Sequence, residues 1–170
     1  MLVASHGERG GDGPTRAREA RAAIERLGAR GSVLRHPDTV IVAPAVAPDI
    51  EAAIRDFRPD TILTMSPNDT HQDHAAVSAA TMIAARDWCG TILGYCTPSA
   101  AEHFRPNWFV SLDDEAMAAK LAAVACHASQ AGRLYLAPAY LEAAGRYWAR
   151  VTRSAAPFVE PYELLRYRES

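Results

Sequence analysis

Cysteine is scarce and unpatterned in this chain of 170 residues: Cys89, Cys96 and Cys126 show no C-x-x-C spacing. An odd count with no export signal fits a reducing compartment better than a disulfide framework, and the three are expected to be reduced packing residues. Charge of one sign is missing too. A net charge of -2 with 22% charged residues, and arginines spread along the chain, leaves no basic stripe for a nucleic acid backbone. No long hydrophobic run is present either. The most apolar long stretch, AMAAKLAAVACHA, is interrupted by Lys120 and His127, and MLVAS is too short for a signal-peptide core. A soluble cytoplasmic protein with no nucleic acid partner and no membrane segment is expected. There is no internal repeat or low-complexity linker, and 49% hydrophobic residues suffice for one self-supporting domain over residues 1–170.

Strand-like and helix-like segments alternate along this chain. Leu2 to Ser5 is a short apolar run ending at GERGGDGP, and TRAREARAAIERLG carries good helix formers with Thr15 as the cap and Gly28 as the stop. SVLRH and TVIVA, separated by Pro37 and Asp38, both read as strands. In APDIEAAIRDFRPD, Ile50, Ile54 and Phe57 share a helical face and Pro59 closes the run. TILTM reads as a buried strand, AAVSAATMIAAR as a helix and TILGY as a strand. DDEAMAAKLAAVACHASQ opens with acids suited to a helix start, AYLEAAGRYWAR makes a further helix, and FVEPYELLR is left as a short tail. The alternation implies an α/β fold, a mostly parallel sheet with helices on both faces.

Ligands of such sheets bind at the carboxyl ends of strands, so GERGGDG, HPD and SPNDTHQDH are the loops of interest. A catalytic zinc keeps three protein ligands and an open position. The HQDH segment supplies part of such a set: His74 at a helix start, His71 in the preceding loop, and Asp73 available to hydrogen-bond the far nitrogen of an imidazole. An H-x-x-H pair is also common as a solvated helix start, so the residues alone leave both readings open.

PNDTHQDH following RPDTILT, with GERGG and an R-x-x-E-A…LG segment before it, resembles the LmbE/PIG-L family of zinc-dependent N-deacetylases, which act on N-acetylated amino sugars and related glycosides. PNWFV, Lys120, HASQ and Glu160 follow in the family's order, so the likeness spans nearly the whole chain. The resemblance implies a Rossmann-like fold and one bound zinc. It makes His74 a metal ligand, His71 the imidazole that stabilises the developing oxyanion and Asp73 its orienting neighbour, with Glu8, Arg16 and Asp38 lining the sugar pocket. The partner it implies is a small N-acetyl amino sugar or glycoside.

One departure from the family pattern stands out. Family members open with a strand and an H-P-D-D segment that supplies two further zinc ligands and the general base, and nothing here occupies that place. A β-α unit of about 30 residues is thus expected to be absent, leaving the chain alone inactive or nearly so. The exposed edge this would create predicts aggregation or pairing with another chain, a homo-oligomer included. His36-Pro37-Asp38 has Thr39 where a second Asp would stand and reads as a strand end. His6 reads as a packing or substrate-contacting residue, and His103 and His127 as structural. The rival to a hydrolase is a non-catalytic sugar-binding homologue on the same fold. A nucleotide-binding reading of GERGGDG lacks both G-x-G-x-x-G and a Walker lysine.

Overall fold

The computed structural model describes residues 1–100 and 102–169 and divides into two compact units. The first comprises Met1–Asp38 and Phe109–Glu160, the second Thr39–Trp108 and Pro161–Ser170. Among the described residues no helix is long and apolar enough to cross a membrane.

In the first unit, β1 (Leu2–Val3) pairs in parallel with β2 (Ser32–Val33). Between them runs α1 (Gly13–Arg26), whose cap is Asp12: its carboxylate accepts from the Thr15 amide at 2.9 Å. Thr15, the cap expected from sequence, instead accepts a hydrogen bond from Arg18 at 2.8 Å. Aspartate in the extended Asp12 conformation satisfies an orphan amide of the first turn, and Pro14 costs nothing there because the missing N–H would be unpaired anyway. Helix α1 buries Ala17, Ala20, Ala23 and Ile24, a stripe of mostly small side chains that lets it pack against α4 (Asp114–Ala125). Next comes α5 (Pro138–Thr152), in which Gly145 is required by close approach. A Cβ there would lie 3.0 Å from Met117 Cε and 3.1 Å from Phe158 Cδ1. Lys120 of α4 reaches Glu160 at 2.5 Å.

The second unit is built on β3 (Thr61–Met65) and β4 (Gly90–Tyr95), parallel and in register from Thr61↔Thr91 to Met65↔Tyr95. Helix α2 (Ala43–Phe57) buries Val46, Ala47 and Ile50 against Ala80 of α3 (Gln72–Ala84), forming its apolar core. On its other edge β4 pairs with Tyr162–Arg168 of β6 (Phe158–Arg168), and a further strand, β5, covers Trp108–Leu112.

The α/β class read from the sequence is what the structure has, with parallel pairing at β1–β2 and β3–β4. Strand β6 runs antiparallel to β4, so the segment read as a tail is an eleven-residue sheet strand. PNWFV contributes a strand that the pattern did not announce. TILTM is half buried rather than buried, with Leu63 54% exposed and Thr64 on the opposite face inside. TVIVA is not a strand. Thr39 has φ 69° and Val40 and Val42 project into solvent, because the Thr39 and Ile41 amides donate to the Asp73 carboxylate instead of to a neighbouring strand. Cys89 and Cys96 are exposed and only Cys126 is partly covered; none of the three is paired.

Candidate functional site

Parallel pairing of β3 with β4 brings the loops at their carboxyl ends side by side, and the Ser66 amide donates to the Tyr95 carbonyl at 3.2 Å just beyond the last paired residues. The first loop supplies Asp69 and His71 and the helix start it leads into supplies Asp73 and His74; the second loop supplies Thr97 and Ser99. Thr70 ties the loops together, its amide donating to the Ser99 carbonyl at 3.2 Å and its hydroxyl to the same oxygen at 2.8 Å.

Asp69 is the centre of this cluster. Its side chain is fully buried and its two oxygens serve different partners: Oδ1 accepts from the His71 amide at 2.8 Å, while Oδ2 accepts from the Thr97 hydroxyl and faces His74 Nδ1 at 2.8 Å. Burial alone would push this carboxyl up. The Ser99 and Thr97 hydroxyls, the His71 amide and the His74 ring outweigh it and hold the pKa down at about 2.

That ionised carboxylate can only accept, so the neutral His74 ring carries its proton on Nδ1 and leaves the Nε2 lone pair bare. His71 is arranged the other way round. It caps α3, and its Nδ1 accepts from the Asp73 amide at 3.3 Å, which places the proton of the neutral ring on Nε2. The two rings stack with centroids 4.4 Å apart and 20° between planes. One motif therefore presents an imidazole donor and an imidazole acceptor side by side.

Asp73 does not take the place expected of it. Its oxygens accept from the Thr39 amide at 2.6 Å and the Ile41 amide at 3.1 Å, and Gln72 Nε2 adds a bond to the Thr39 carbonyl at 3.0 Å. The carboxylate on an imidazole is Asp69, four residues earlier, which the sequence reading passed over along with Thr97 and Ser99. An Asp in a Ser-Pro-Asn-Asp turn directly after a strand was the available signal.

Glu8, Arg16 and Asp38 belong to the first unit, His71, Asp73 and His74 to the second. Glu8 and Asp38 are brought together: the Asp38 amide donates to Glu8 Oε1 at 2.9 Å and the Arg9 amide to Asp38 Oδ2 at 2.9 Å. The Asp38 amide is the chief cause of Glu8 lying below the usual carboxylate range. Arg16 Nη1 donates to the Gly7 carbonyl. His6 Nε2, on the same loop, is buried and has no hydrogen-bond partner among the described residues.

As a metal ligand, the His74 Nε2 lone pair has the required tautomer, held by a carboxylate on the far nitrogen as zinc-bound histidines usually are. It stands alone, however: among the described residues no group of three His, Cys, Asp or Glu side chains is arranged to hold a metal ion. Asp69 is committed to Thr97, His71 and His74. The residues present therefore do not make up the three-ligand set of a catalytic zinc.

Fold and site together define an α/β protein with a polarised histidine pair at the carboxyl end of a parallel strand. The sequence comparisons take this further. The model of the PIG-L family, GlcNAc-PI de-N-acetylase, matches residues 1–85. An uncharacterized deacetylase of Escherichia coli K12, YaiS, is 36% identical over 139 residues, covering 75% of this chain and 74% of its own. The chain belongs to the PIG-L family. Among solved structures, the A40926 pseudoaglycone deacetylase Dbv21 matches with a TM-score of 0.79 at 21% identity, over 99% of this chain and 86% of its own. The 4-carboxy-2-hydroxymuconate hydratase GalB of Pseudomonas putida KT2440 matches with a TM-score of 0.80 at 19% identity, over 99% of this chain and 84% of its own. At such identities these two speak for the fold alone.

Proposed function

We propose that this protein serves in the hydrolytic removal of an acetyl group from an N-acetylated amino sugar or related glycoside. The observation that carries the reading is the opposite polarity of the two stacked imidazoles, in a chain whose family is named for a de-N-acetylase. His71 offers Nε2–H to the acetyl carbonyl oxygen as it gains negative charge. A single donor of this kind typically contributes about 10²–10³ in rate. Asp69 keeps His74 in the opposite tautomer, and Asp73 fixes the start of α3 and the Thr39–Ile41 segment beside it. Glu8, Arg16 and Asp38 are assigned to substrate contact by family resemblance.

Family resemblance also implies zinc, and the residues present supply His74 alone toward it. For that reason the second reading, a sugar-binding member without catalysis, also stands. The lack of a three-residue metal cluster among the described residues favours it. One experiment separates the two. Saturation-transfer NMR compares N-acetylglucosamine with glucosamine, and acetate release is followed for the chain and for His71→Ala, with zinc added. Preference for the N-acetyl sugar with acetate release that falls about 10²–10³-fold in the variant supports the hydrolase. Preference without any acetate supports the binding protein, and no preference with no acetate overturns both.

A further inference from the structure

The GERGG loop of the first unit has two arginines aimed at one glycine. A methyl group added at Gly10 would lie 2.6 Å from Arg16 Nη1 and 3.6 Å from Arg133 Nη2. Each guanidinium is anchored through nitrogens other than those left for a ligand. Arg16 Nη1 donates to the Gly7 carbonyl, which leaves Nη2 and Nε without partners among the described residues. Arg133 Nε donates to Gln130 Oε1 at 2.7 Å and Nη1 to the Tyr135 hydroxyl at 2.9 Å, leaving Nη2 toward Gly10. Gln130 is itself buried, so the second anchor is a firm one.

Among the described residues, neither arginine has a carboxylate within salt-bridge distance. The neighbouring acids are committed elsewhere: Glu8 to the Asp38 amide, Asp38 to the Arg9 amide, and Asp12 to the Thr15 amide. Glu19, close enough for Arg16 to act on its charge, commits both oxygens to Ser129 at 2.7 and 2.6 Å. Two guanidinium groups converging with no carboxylate paired directly to either repel each other, and an oxyanion between them would relieve the repulsion while using their free N–H groups. Planar forks of this kind match carboxylate and phosphate oxygens in pairs. The side-chain-free Gly10 leaves room for both of them.

We propose that Arg16 and Arg133 form a binding site across Gly10 for a carboxylate or phosphate group. The site is formed by Arg16 and Arg133 across Gly10; it shares Arg16 with the proposed substrate contacts and rests on that reading to that extent, but it is read by binding, without turnover, so its failure and the failure of the deacetylase reading are distinguishable. The test is isothermal titration of the full chain with inorganic phosphate and, separately, with succinate, at constant ionic strength. Saturable one-to-one binding of either is expected, and the tighter of the two identifies the source of the oxyanion. Arg133→Gln and Gly10→Ala should each weaken it by about tenfold or more, the loss of one charge-assisted pair of bonds. Arg26→Gln, which removes an exposed charge at the far end of α1, should change it by no more than roughly twofold. Gly10→Ala keeps both arginines, so it guards against a fold defect specific to Arg133→Gln, and circular dichroism checks each variant. No saturable binding of either anion, or binding that survives both substitutions, overturns the proposal.

Discussion

Replacing Asp69 by Asn removes one charge from a fully buried side chain while keeping its volume. In the folded chain this carboxyl is held at about 2, against an ordinary value of 3.8. At about 1.4 kcal/mol per pKa unit, its ionised form contributes roughly 2 kcal/mol to stability at neutral pH. The sign follows from proton binding. Between pH 4 and about 2 the unfolded carboxyl is protonated and the folded one is not, so stability falls as pH drops through that window. The contribution is complete above the unfolded value and gone below the folded one. Asp69→Asn lacks it throughout. Urea unfolding followed by circular dichroism at intervals from pH 7 to pH 2 should show the variant less stable by roughly 2 kcal/mol at pH 7, with the gap closing toward pH 2. Other depressed carboxyls, Glu8 and Glu19 among them, titrate equally in both proteins and cancel in the difference. A gap that stays constant with pH, or no gap, would refute the view that Asp69 is an ionised hub. The side-chain amide introduced by Asp69→Asn would also press His74 toward the Nε2–H tautomer, removing the lone pair from the open side of the ring.

Two further perturbations test the frame around the site. Asp73→Ala leaves the Thr39 and Ile41 amides without their carboxylate and should cost roughly 3 kcal/mol, read from the urea midpoint, with faster amide exchange confined to residues 39–42. Unchanged exchange there would show that the carboxylate does not hold the segment. Cys96 is exposed as a residue, yet partial desolvation of its thiol, and then the Glu163 and Asp69 charges, push it above the usual thiol range, so at pH 8 iodoacetamide should alkylate it more slowly than a free thiol. A rate equal to or above that of a free thiol would contradict the charge assignment.

Local patterns announced most of the helices and the two parallel strands that carry the loops, because TILTM, TILGY and the α2 face Ile50–Ile54 sit in short-range repeats. Contacts far apart in sequence decided the rest. TVIVA has the β-branched composition of a strand, yet a carboxylate more than thirty residues later captures its amides. FVEPYELLR hides its strand because buried residues come in adjacent pairs, Phe158 with Val159 and Tyr162 with Glu163, and the pairing with β4 is irregular at Ile92/Leu93. Within the motif, His71 and His74 were legible from their spacing. The carboxylate that sets the tautomer of His74 was not: Asp69 and Asp73 look alike in sequence, and only the adjoining β4 loop, with Thr97 and Ser99, distinguishes them.

The polarised imidazole pair is best tested by long-range proton–nitrogen correlation NMR of the ¹⁵N-labelled full chain above the titration range of histidine. The predicted spectrum has His71 protonated on Nε2 and His74 on Nδ1, with the His74 pattern shifting toward Nε2–H in Asp69→Asn. Both rings in the same tautomer, or the reverse assignment, would contradict the proposed division of roles between them.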